Sequence, residues 1–152
     1  MSIFGEEKQI IFQKDIRRKI EIHLDQIIVY SPNGKFSEIL EKGLKDYAYA
    51  FFWDVCHDLA LQLDISLNRI SIKDTKTRWG SCSCKGNLCF SWRLIFAPKK
   101  IAFYLAAHEV AHLKHMNHSK FFWKVVASLD PNYQESRIWL RNHGHNLLKI
   151  TI

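Results

Sequence analysis

Seven residues, Ile101-Ala-Phe-Tyr-Leu-Ala-Ala107, are apolar on almost every side of a helical wheel, and His108-Glu-Val-Ala-His112 follows without a break. A helix that is apolar all round has to lie in a core with other elements packed about it. This one carries a carboxylate and two imidazoles into that core, where an unpaired charge is expensive. His108 and His112 are four residues apart, so on a helix they sit one above the other, ~5–6 Å apart at Cβ. At that spacing two rings can converge on one metal ion with Zn–N bonds of roughly 2.0–2.1 Å. Glu109, beside the first histidine, is placed to take a proton from water activated by the ion, the general-base role in this motif.

Two imidazoles and a water leave such a site one protein ligand short. His118, six residues after His112 and just past the expected helix end, is the preferred third ligand. His115, Asp130 and Glu135 are the alternatives. Zinc, one ion per chain, suits this donor set, although nickel, manganese or iron also bind imidazole. The interval from His112 to His118 equals that of metzincins, but His115 stands where they place a glycine and no Met follows Met116, which excludes a Met-turn.

The chain has 152 residues, 47% of them apolar, which fits one domain spanning 1–152 with one core. No apolar run approaches the ~18 residues of a membrane span. The first residues carry acids where a secretory signal has bases. These features predict a cytoplasmic protein without a membrane partner, its four cysteines reduced. Along the chain, β-branched alternation predicts strands within 8–30, helical spacing predicts a long helix over about 38–63, and a hairpin is expected over 76–96. The helix with the histidine pair should run over about 98–115, and further helices over about 119–144, with Ser119 as a cap.

Charge is unevenly distributed. Residues 1–68 are net acidic, whereas residues 69–100 hold eight Lys/Arg against Asp74 alone, an excess equal to the +7 of the whole chain. Such a field attracts anions. A turn at Lys85-Gly86 would set residue 82 opposite 89 and Arg78 opposite Arg93, and like charges so placed are destabilising. Either a carboxylate (Asp74 or Glu109) or a bound substrate anion would relieve them, which makes Arg78 and Arg93 candidate substrate-binding residues. Tyr133 and Arg137 are candidates to steady a developing oxyanion. Cys82, Cys84 and Cys89 do not match a four-ligand zinc site.

Arg78-Trp-Gly-Ser-Cys82, Asn87-Leu88, Ser91-Trp-Arg-Leu-Ile-Phe-Ala-Pro98, His108-Glu-Val-Ala-His-Leu113 and Asn117-His-Ser-Lys-Phe-Phe-Trp123 together resemble the YgjP-like metallopeptidase family, relatives of the WLM and SprT-like zincins. The resemblance covers about residues 66–145; the first 65 are similar only in layout. It implies an α+β fold, a minimal zincin with a small, mostly antiparallel twisted sheet against an H-E-x-x-H helix and further helices. It also implies His108, His112 and His118 on the metal, Glu109 as base, and an extended peptide lying on a sheet edge, for which 87–96 is the candidate strand.

The leading expectation is a zinc metallopeptidase acting on peptide or protein. A nucleotide phosphohydrolase using the same site, its anionic substrate held by the basic segment, is the alternative. A non-catalytic nucleic-acid-associated protein that keeps the zinc fold for structure is the third.

Overall fold

The structure is a computed structural model that describes residues 1–152. A short hairpin, β1 (Ser2–Ile3) and β2 (Glu6–Glu7), precedes a three-stranded sheet of β3 (Gln9–Lys14), β4 (Lys19–Ile22) and β5 (Gln26–Ser31). In that sheet β5 is central, parallel to β3 and antiparallel to β4. Helix α1 (Phe36–Gln62) follows, burying Leu40, Leu44, Ala48, Phe52, Cys56 and Leu59 as one stripe at helical spacing.

A second sheet repeats the first one's plan. Strands β6 (Arg69–Lys73), β7 (Gly80–Cys82) and β8 (Asn87–Ser91) take the order β6-β8-β7, with β8 parallel to β6 and antiparallel to β7. A 3-10 turn over Trp92–Phe96 leads into α2 (Lys99–Ala111), then α3 (Lys120–Leu129) and α4 (Tyr133–Leu147). The apolar all-round stretch lies where its composition requires: α2 packs against α1, α3, α4 and β7. Nine of its thirteen residues are buried, so side chains at its C-terminal end are fixed from several directions. Phe52 of α1 stacks on Phe90 of β8 at 4.1 Å, the two ring planes nearly parallel, joining the long helix to the second sheet.

The expected sheet is corrected. Instead of one mostly antiparallel sheet there are three, and the two larger ones are mixed, each with a parallel and an antiparallel ladder. Alternation along a strand shows which face is buried but not which strand lies alongside. The 87–96 segment is corrected too. Its strand part, β8, is flanked on both sides and so offers no free edge, while the edge beside α2 belongs to β7.

The hairpin register is one residue away from the expected one. Ser81, not Cys82, stands opposite Cys89, and Cys82 faces Leu88. The cause is an odd loop: Ser83 donates its N–H to Asn87, Gly86 donates to Ser83, and Gly86 adopts φ +76°. A three-residue turn closed by a left-handed glycine is a common hairpin form, but it flips the faces relative to any even loop.

Candidate metal centre

Helix α2 ends at Ala111, short of the expected 115, and His112 is its C-cap residue. His108 lies in the last helical turn. The chain then turns, the N–H of His115 donating to the Ala111 carbonyl at 3.1 Å. It re-enters helix at α3, where Ser119 caps the start by accepting the N–H of Phe122. This return brings His118 back over the end of α2. One ligand nitrogen from each of His108, His112 and His118 falls within a group no wider than 4.8 Å. The unit of the site is therefore this three-histidine cluster, and the expectation of an H-E-x-x-H helix as the metal-binding element is corrected. The helix stops before the motif does, the third donor comes from outside it, and Glu109 is not one of the donors.

The donor set fits a divalent ion. Two nitrogens on a tetrahedral ion with bonds of roughly 2.0–2.1 Å stand about 3.3 Å apart. The Nε2 atoms of His108 and His118 are 3.2 Å apart. Burial holds His108 down to about 3, with the neighbouring His112 and His118 adding to the effect, and burial also lowers His112. Both rings therefore stay neutral near pH 7, the form that can ligate. Their outward nitrogens are engaged as well: His112 Nδ1 donates to the His115 carbonyl at 2.9 Å, and the Tyr104 hydroxyl lies 3.4 Å from His108 Nδ1. Such contacts fix which nitrogen faces an ion. Phe122, fully buried at the start of α3, touches all three rings, stacking on His112 at 4.4 Å and meeting His108 and His118 edge-on.

Glu109 is buried on the side of α2 that faces β7. Burial pushes its carboxyl up to about 7, and the charge of Arg78 opposes the rise. Its carboxylate lies over Gly80, close enough that a side chain there would collide with it. The group is buried, has no hydrogen-bond partner and is able to exchange a proton near neutral pH, a combination found at catalytic acids and bases.

Of the other candidates, Arg93 is not beside Arg78. Its guanidinium donates to both carboxylate oxygens of Asp74, at 2.7 and 3.2 Å, and to the carbonyls of Leu147 and Ile150. Of the two remedies expected for it, a carboxylate or a substrate anion, the structure shows the carboxylate. Arg78 is exposed and unpaired, its field reaching Glu109. His115, Asp130 and Glu135 are outside the donor group: His115 lies against Phe121, Asp130 accepts the N–H of Asn132, and Glu135 pairs with Lys100. All four cysteines are free, and none belongs to a metal-holding group. Tyr133 and Arg137 meet on Trp123, which in turn lies against His118.

Sequence reasoning missed Phe122, Tyr104 and Gly80. Tyr104 carried a signal, a lone hydroxyl one helical turn before His108 in an otherwise apolar run; Gly80 carried none without the register.

The sequence profile of the YgjP-like, metallopeptidase domain family matches residues 1–143. The match extends through the N-terminal region, where the motifs gave only a similar layout. No curated protein matches the sequence. Among solved structures, the metallopeptidase zymogen of Pyrococcus abyssi, abylysin, is 24% identical with a TM-score of 0.53, over 59% of this chain and 93% of that one. That of Methanocaldococcus jannaschii, jannalysin, is 23% identical with a TM-score of 0.51, over 60% of this chain and 94% of that one. Likeness at these identities speaks for the fold alone.

Proposed function

Because this chain belongs to the YgjP-like metallopeptidase domain family, we propose that it hydrolyses peptide bonds, with zinc held by His108, His112 and His118 and Glu109 as general base. The observation that carries this reading is the buried Glu109 carboxyl, next in the chain to His108 of a three-imidazole cluster of ion-binding size. A bound divalent ion supplies Lewis acidity and lowers the pKa of water. His108 and His112 present neutral nitrogens to it, oriented by Tyr104 and the His115 carbonyl, and His118 would supply the third nitrogen. Glu109 takes the proton of the attacking water onto a carboxylate oxygen and later delivers it to the departing amine. A carboxyl poised near 7 suits both transfers.

The free edge of β7 is the strand along which we place the extended substrate. No helix is long and apolar enough to cross a membrane, and free thiols suit a reducing compartment; we place the protein in the cytoplasm. The test is hydrolysis of casein and of nucleoside triphosphates, side by side, by wild type and Glu109→Gln. Casein cleavage that falls about 10²–10⁴-fold in the variant, with metal retained, is expected. Hydrolysis of triphosphates alone, or casein cleavage indifferent to the substitution, contradicts the reading.

A further inference from the structure

Beside His118, α3 and the start of α4 frame an open, solvent-facing cavity of about 470 Å³ lined by Lys120, Trp123, Lys124, Ala127, Tyr133 and Arg137. Its floor is aromatic. The rings of Trp123 and Tyr133 stack at 5.4 Å with 21° between their planes. The guanidinium carbon of Arg137 lies 4.4 Å from the indole centroid. Its walls are cationic, with Lys120 and Lys124 one turn apart on the same face of α3. No carboxylate pairs with any of the three cations; Glu135, on the first turn of α4, pairs with Lys100 instead. Like charges gathered without a counter-ion raise a local potential that favours an anion.

The cavity adjoins the metal centre. Trp123 is its floor and also packs on His118, with centroids 6.0 Å apart. An extended peptide advances roughly 3.3–3.6 Å per residue, so a substrate with its scissile carbonyl at the histidine cluster places a side chain one or two residues away over the indole. Arg137, steadied by the ring, can offer paired N–H donors to a carboxylate. The Tyr133 hydroxyl, which accepts from Gln134 at 3.4 Å, keeps its own proton free to donate.

We propose that this cavity is a specificity subsite that receives an acidic side chain, Glu or Asp, of a peptide substrate near the scissile bond. The proposal rests on the peptidase reading of the adjoining site and adds the class of peptide it takes.

The experiment uses the full metal-loaded chain and internally quenched Ala/Gly peptides carrying one Glu, Gln or Lys at each position flanking the cleaved bond. At one position kcat/KM for Glu should exceed that for Gln by about tenfold, mainly through KM, and the ratio should shrink with added salt. Arg137→Gln and Lys124→Ala should each reduce the ratio to about twofold or less, and Lys124→Glu should turn it toward Lys. Equal rates for Glu and Gln peptides at every position, or a preference intact in all three variants, overturn the proposal while leaving the peptidase reading standing. Binding of the same peptides to the Glu109→Gln protein gives a readout that needs no cleavage. Tighter binding of the Glu peptide, lost with Arg137→Gln, supports the subsite even if no peptide is hydrolysed. Equal binding, or an Arg137-dependent site that takes inorganic phosphate but not the Glu peptide, overturns it.

Discussion

A Cβ atom on residue 80 would stand 2.7 Å from Glu109 Oε1 and 2.9 Å from its Cγ, so the strand and the carboxylate occupy their present places only because residue 80 is glycine. Glu109 is 4% exposed and cannot simply swing into water. Gly80→Ala should displace the carboxylate and lower kcat/KM by about 10–100-fold, since misplacing a catalytic group by about 1 Å costs this much. The histidines are untouched, so metal content should stay at the wild-type level. Kinetics paired with metal analysis on the same sample checks both halves, and a fully active Gly80→Ala protein contradicts the placement of the base.

The pH dependence of stability isolates Glu109 from the histidines. Burial lifts its carboxyl from 4.5 to about 7. The folded, metal-free protein keeps a proton there that the unfolded chain has released, so this contribution is full below about 4.5 and is lost as pH rises through 7. His108 acts in the opposite sense. Held down from 6.5 to about 3 by burial, it stays neutral while the unfolded chain takes up a proton, so its contribution is full above 6.5 and fades as pH falls toward 3. Between about 4.5 and 6.5 the two slopes oppose. Glu109→Gln removes one of them. Urea unfolding of chelator-treated protein should therefore show the variant gaining on wild type as pH rises, at a rate approaching about 1.4 kcal/mol per pH unit. Parallel curves would contradict the buried position of this carboxyl.

The two arginines once paired by the expected register should behave differently. Arg93 ties Asp74 of the β6–β7 connection to the carbonyls of Leu147 and Ile150 at the end of the chain. Arg93→Ala should cost about 2–3 kcal/mol in urea unfolding, the range of a few charge-assisted hydrogen bonds partly open to water, and leave kcat/KM within about twofold. Arg78 is exposed, and its charge holds Glu109 down. Arg78→Ala should change stability by less than about 0.5 kcal/mol and move the acid limb of the pH–rate profile to higher pH. The reverse pattern would return Arg93 to the substrate.

What the sequence made legible was local. The buried helix followed from seven apolar residues, the paired histidines from their spacing of four, and the recurrence of several motifs in order pointed to the family that the profile matches. Relations set by a loop's parity or a strand's neighbour were not legible. Two- and four-residue loops about Lys85-Gly86 share one register, and the chain takes a three-residue loop with Gly86 in the left-handed region. That single residue separated Arg78 from Arg93. The parallel pairing of β6 with β8 was hidden because both strands alternate in the same way whichever neighbour they have. Phe122 showed only as one aromatic among several; its contact with all three imidazoles appears once α3 folds back over the end of α2.

Metal content is the most direct check on the three-histidine centre. Protein purified without added metal should carry near one divalent ion per chain. His115→Ala should keep it, because the His115 ring lies against Phe121 and only its carbonyl reaches His112. His118→Ala should lose most of it, because no other donor joins His108 and His112. An ion retained by His118→Ala and lost from His115→Ala, or a wild-type protein that binds none when zinc is supplied, would contradict the centre described here.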